Sequence, residues 1–121
     1  MSTPIRPVKF EQVALQTHPE KTPKPTAIDG TPADSAVSLW ERSDGKVLTG
    51  TWECTPGRFV TSRDGINEVV YILSGRGTLI ADDGTETEYQ PGDAIALLDG
   101  FTGEWHVRET TRKVYFVSAT A

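Results

Sequence analysis

Glu68 is the residue of this chain whose surroundings most plainly call for chemistry. It opens the run Glu68-Val-Val-Tyr-Ile-Leu73, in which every following position is apolar. Alternation along a strand puts residues 68, 70 and 72 on one face and 69, 71 and 73 on the other. Apolar residues in both sets predict a strand buried on both faces. A carboxylate there is costly unless it is paired, binds a metal or faces a wet cavity. Desolvation would raise its pKa toward neutrality, which suits a general acid or base. The structural alternative is a carboxylate satisfied by Arg58, Arg63 or Arg76, and the spacing leaves that choice open. Lys113 and Tyr115 share one face of a later run. A lysine turned inward there could hold a substrate carboxylate or exchange protons, although the commoner fate is a solvated sheet edge. Cys54 shares a face with Trp52 and Gly50. As the single cysteine it can form no intramolecular disulfide, and a reactive thiol would need an electropositive setting.

The elements that must position these residues are short. From residue 37 onward, β-branched and aromatic runs at 37–40, 47–54, 58–62, 67–73, 77–81, 85–89, 94–98, 104–107 and 113–117 alternate with turn residues. The turns include Asp64-Gly65, Pro91-Gly92-Asp93 and Asp99-Gly100, where glycine accepts positive φ and aspartate bonds its own backbone. No amphipathic helix of useful length interrupts them, so the class is all-β, a sandwich or barrel. Residues 1–36 hold six of the eight prolines and read as an arm that is either a tail or a strap across the barrel, with Val8, Phe10, Val13 and Leu15 as its apolar contacts. The expected division is therefore a 1–36 arm and a 37–121 barrel.

Bulk properties narrow the partners. At 121 residues the chain suits one domain, and its net charge of −5 argues against a nucleic-acid partner. The first residues lack the roughly 7–15-residue apolar run of a secretory signal. Nothing approaches the ~20 apolar residues of a membrane helix. The expectation is a cytoplasmic protein with no membrane partner.

The ordered set Gly50-Thr-Trp-Glu-Cys-Thr-Pro-Gly57, Asn67-Glu68-Val-Val-Tyr-Ile-Leu-Ser-Gly75-Arg76, Pro91-Gly92-Asp93, Gly100-Phe-Thr-Gly-Glu-Trp105 and Arg112-Lys113-Val-Tyr115 resembles the cupin superfamily. The likeness is to its small branch of ureidoglycine-aminohydrolase-like and ethanolamine-utilisation cupins. The resemblance implies a double-stranded β-helix, or jelly-roll, barrel that commonly pairs as a homodimer. It makes Glu68 the family's metal-binding glutamate, and it places Trp52 and Trp105 near the pocket. The family's two earlier histidines correspond to positions among Thr61, Ser62, Arg63 and Asp64, and the later one to about Gly103. Of the two histidines present, His18 lies in the arm and His106 is out of phase with position 103. One glutamate without nitrogen partners is a poor transition-metal site, so no metal and no cofactor is expected.

What remains is a carboxylate in an aromatic and cationic cavity. The expected catalytic residue is Glu68, and the expected ligand-binding residues are Trp52, Arg63, Trp105 and Lys113. Two functions stay open. One is a metal-independent acid/base enzyme (isomerase, lyase or aminohydrolase-like) acting on a small polar metabolite. The other is a non-catalytic module that binds or senses a small ligand.

Overall fold

In the computed structural model the description covers residues 4–16 and 18–121, so residues 1–3 of the arm and Thr17 lie outside it. A five-residue helix, α1 (Gln12–Gln16), precedes eleven strands. These are β1 (Thr22–Pro23), β2 (Ala27–Asp29), β3 (Ala33–Glu41), β4 (Val47–Cys54), β5 (Gly57–Ser62), β6 (Ile66–Ser74), β7 (Gly77–Ala81), β8 (Glu86–Tyr89), β9 (Ala94–Leu97), β10 (Thr102–Val107) and β11 (Thr111–Ala119). Every pairing is antiparallel. One sheet runs β1-β3-β4-β11-β6-β9 and the other β2-β5-β10-β7-β8, and together they make the jelly roll.

The core lies between the sheets. Trp52 and Cys54 of β4, Val70 and Ile72 of β6 and Leu97 of β9 come from the first. Phe59 of β5, Leu79 of β7, Tyr89 of β8, and Trp105 and Val107 of β10 come from the second. Tight corners return the chain. At Gly75, φ is +93°, and a side chain would collide with the backbone of Thr110 and Thr111, so the turn after β6 requires glycine.

Part of the expected arm joins the sheets. β1 pairs with β3, β2 pairs with β5, and β3 begins at Ala33, four residues before the 37–40 run suggested. Proline in β1 is tolerable because β1 is an edge strand, and Pro32 stands just before β3 begins, where its missing donor interrupts no ladder. Of the arm's apolar residues, Val8 and Val13 are exposed, whereas Phe10 and Leu15 are half-buried.

The expectation of a strand covered on both faces is not met in β6. Glu68, Val70 and Ile72 are buried, but Val69 and Tyr71 are 48% and 49% exposed. The sheet is antiparallel and only its inner face meets the second sheet, so the alternate residues turn outward. Phe116 lies beside Val69 in register on β11 and is exposed too. Among the described residues, no helix is long and apolar enough to cross a membrane.

Candidate functional site

The two sheets leave a cavity of about 310 Å3 at one end of the core. Trp52, Arg63, Glu68, Trp105 and Lys113 all line it, so the residues singled out in the sequence come together around one space. Lys24, Phe59, Thr61 and Tyr115 line it as well.

Strand phase explains the convergence. On β5 and its extension, positions 59, 61 and 63 turn inward, which brings Arg63 to the cavity and sends Arg58 outward to pair with Glu104. On β11, Lys113, Tyr115 and Val117 turn inward by simple strand alternation. Lys113 stands opposite Trp52 on one side and Ile72 on the other. Glu68 lies four residues beyond Ile72 on β6, roughly 13 Å along the strand. The lysine therefore reaches Glu68 by lying along the cavity wall, and its Nζ is 3.2 Å from Oε2. Tyr115 finds room because Gly50, its partner on β4, has no side chain to meet its ring.

Both oxygens of Glu68 are engaged. Oε1 accepts from Arg63 Nε at 2.7 Å and lies 2.6 Å from Nη2, while Oε2 takes Lys113. Arg63 Nη1 donates to Thr61 Oγ1 and to the Ser62 carbonyl. Four of the five guanidinium donors are thus occupied, and one on Nη2 is left for a ligand. Glu68 and Lys113 are 5% and 4% exposed, so the ion cluster sits almost out of water.

Two aromatic rings lie against the ammonium. Lys113 Nζ is 4.6 Å from the centroids of both Trp52 and Trp105, which are 5.1 Å apart, a cation–π contact to each ring from the same side. The indoles are themselves fixed. Trp52 Nε1 donates to Asp34 Oδ2 at 2.7 Å, and Trp105 Nε1 donates to the Tyr89 hydroxyl, which in turn contacts Thr111 Oγ1. Phe59 stacks on Trp105, and Lys24, paired with Asp34, lies 4.7 Å above the Phe59 ring. Three cations and one carboxylate therefore line the cavity. Even with Asp34 counted, the balance is positive within a chain whose net charge is −5.

Burial pulls the Lys113 amine down from its ordinary 10.5 to about 8, with Glu68 opposing the fall and Arg63 adding to it. Burial pushes the Cys54 thiol up to about 12, with Asp34 contributing. That makes Cys54 an inert core residue rather than a nucleophile. Tyr115 is raised by burial and then by the Glu68 charge.

The donor set does not fit the metal that cupins commonly hold. Among the described residues, no three His, Cys, Asp or Glu side chains gather. The oxygens of Glu68 already face a guanidinium and an ammonium, which would repel a cation. Gly103 is closed to any side chain, since a Cβ there would meet the Ile80 carbonyl oxygen. His18 lies near Ser35, and His106 lies on the other phase of β10 from Trp105; neither lines the cavity.

Among the cavity residues that escaped the sequence reading, Phe59 and Lys24 did so for different reasons. Phe59 was within reach, because it shares phase with Thr61 and Arg63. Lys24 belongs to the arm, which has no periodicity to indicate a facing direction.

A profile for the EutQ-like cupin domain matches residues 41–115. The fold is similar to that of EutQ from Clostridium difficile, with 18% identity and a TM-score of 0.65 over 73% of this chain and 69% of that one. It is also similar to ectoine synthase from P. lautus, with 19% identity and a TM-score of 0.69 over 94% and 78%. A Rhizobium leguminosarum protein of unknown function gives a TM-score of 0.71 at 14% identity over 95% and 99%. At such identities the likeness concerns the fold alone. No curated protein matches the sequence.

The pH behaviour of Lys113 follows from its position. Between pH 8 and 10.5 the unfolded chain holds a proton that the folded chain has released. Unfolding free energy therefore rises with pH across that window, and below it both states are protonated. In urea titrations, the stability of the wild type relative to Lys113→Met should grow by about 1–3 kcal/mol from pH 8 to 10.5. The three tyrosines are common to both proteins and cancel in that difference. A constant difference would mean an unperturbed lysine.

Proposed function

This chain belongs to the EutQ-like cupin family, and we propose that its barrel cavity binds a small organic anion and acts on it by metal-independent acid–base chemistry. The observation that carries this reading is the buried cluster Arg63–Glu68–Lys113 at the cavity wall. A preformed, cation-rich recess with low-dielectric aromatic walls favours a ligand bearing a carboxylate or similar group. Arg63 offers its remaining donor and Lys24 its charge from the Phe59 side. Trp52 and Trp105 supply flat apolar surface for the carbon skeleton.

Glu68 does not act alone in this reading. Its two oxygens are held by cations, so proton exchange runs through Lys113, whose lowered pKa suits transfer near neutral pH. Glu68 receives and returns protons across the 3.2 Å contact. A module that binds and senses the same anion without turnover uses the same residues apart from this exchange.

Calorimetry with short-chain monocarboxylates, pyruvate and acetoacetate among them, and with their neutral amides separates these ideas. The acids should bind and the amides should not. Arg63→Gln should weaken binding about 10–100-fold, as expected for loss of a charged hydrogen bond. Binding should survive dialysis against a chelator. Amides binding as well as acids, or binding that needs an added metal, would overturn the reading.

The partner expected in solution is a second copy of the chain. Val69, Tyr71 and Phe116 form a half-exposed apolar row on the outer face of the six-stranded sheet, a surface that suits burial against its own copy. Sedimentation at micromolar concentration should give twice the 13.2 kDa chain mass, and Tyr71→Lys should shift it toward monomer. A wild type that sediments as monomer would remove the dimer.

A further inference from the structure

We propose that Lys113 is a nucleophilic amine that captures the carbonyl group of a small oxo acid as an imine, with Glu68 carrying the protons. The inference rests on the anion-binding reading above and specifies the substrate class, an acid that also bears a ketone or aldehyde.

Three features of the geometry point there. First, Lys113 lines the cavity with its Nζ against the rings of Trp52 and Trp105 on one side, so the amine is both desolvated and presented to a bound molecule. A lysine becomes a nucleophile when a hydrophobic pocket or a neighbouring cation removes its proton cheaply, and both conditions hold beside Arg63. Second, a carboxylate lies 3.2 Å from that nitrogen, within reach for each proton step. Third, Arg63 also lines the cavity with a free donor, so an acid group bound there would bring an adjacent carbonyl carbon close to Nζ. The pKa of about 8 agrees with this, because near neutral pH it raises the free-amine fraction by roughly two orders of magnitude over an ordinary lysine.

The steps balance. The ammonium of Lys113 passes one proton to Glu68, and the freed lone pair attacks the carbonyl carbon. A C–N bond forms as the C=O π pair moves to oxygen. A second proton then moves from nitrogen to that oxygen, giving a carbinolamine. Glu68 returns its proton to the hydroxyl, the C–O bond breaks, and water leaves as the nitrogen pair closes the C=N bond. The nitrogen keeps one proton and the positive charge, so the sum is ammonium plus carbonyl giving iminium plus water. No oxidant, reductant or metal enters. The iminium draws electrons from the neighbouring carbon, which permits loss of a proton or carbon dioxide there and fits an isomerase or lyase outcome.

Reductive trapping tests this directly. The full chain is incubated with pyruvate and sodium cyanoborohydride, and intact and peptide masses are measured. The expected product is a single adduct, heavier by the acid less one oxygen atom, on the peptide holding Lys113. It should form about tenfold or more faster than adducts at lysines 9, 21, 24 and 46. Lys113→Arg should abolish it, and Glu68→Gln should slow it. Should either variant fail to fold, excess lactate, which lacks the carbonyl, should protect Lys113 in the wild type. If calorimetry detects pyruvate while labelling is spread evenly over the lysines, the imine is wrong and the anion site stands. If pyruvate and the other oxo acids neither bind nor label, both fail.

Discussion

A carboxylate withdrawn from water must be answered by charge or by protonation, and the inner end of this barrel is organised around how Glu68 is answered. Leaving such a group unpaired in a low-dielectric interior would cost several kcal/mol, comparable with much of a small domain's stability. Arg63, just past the end of β5, and Lys113 of β11 meet the requirement, and in doing so bring two further charges out of water. Those charges need their own compensation. The guanidinium finds it in Thr61 and the Ser62 carbonyl, and the ammonium in the faces of Trp52 and Trp105. The indoles are in turn oriented by Asp34 and Tyr89. A chain of polar satisfaction therefore runs from Lys24 and Asp34 at one side of the cavity, through the rings, to Tyr89 and Thr111 in the core.

This arrangement stands where other cupins place histidines around a metal. On the resemblance read from the sequence, the positions that would supply nitrogen ligands fall among Thr61, Ser62, Arg63 and Asp64 and at about Gly103, a glycine that the Ile80 carbonyl leaves no room to extend. The surviving glutamate thereby changes partners from a divalent cation to two monovalent ones. A resident metal polarises a carbonyl by acting as a Lewis acid, whereas a lysine achieves the same end by replacing oxygen with protonated nitrogen. The two tryptophans have consequences for both ground state and reactivity. They favour the charged amine by cation–π contact while excluding the water that would favour it more.

Much of the site was legible because strand phase is a local property. The alternation around Glu68, the pairing of Lys113 with Tyr115 and the phase of Trp105 all follow from spacing along one segment. The choice of Arg63 over Arg58 follows in the same way once Phe59 is taken as inward. The outer face of β6 was harder, since Val69 and Tyr71 are as apolar as Val70 and Ile72. A sequence does not tell a residue covered by its own chain from one left to solvent. Lys24 lay further beyond reach. Its place over Phe59 depends on how an irregular, proline-rich segment crosses the barrel, and no repeat encodes that path. The meeting of Lys113 with Glu68 depends on the register of β11 against β6, which only the paired strands display.

The central claim, that Glu68 and Lys113 are mutually neutralising buried charges, is tested most directly by a double-mutant cycle in urea. Glu68→Gln, Lys113→Met and the combined variant are compared with the wild type near neutral pH. Glu68→Gln leaves two buried cations without their carboxylate and should cost about 3–5 kcal/mol; Lys113→Met leaves Glu68 still paired with Arg63 and should cost less, and the double change should cost clearly less than the sum. Costs that simply add would show that the two groups do not feel each other, and would contradict the account.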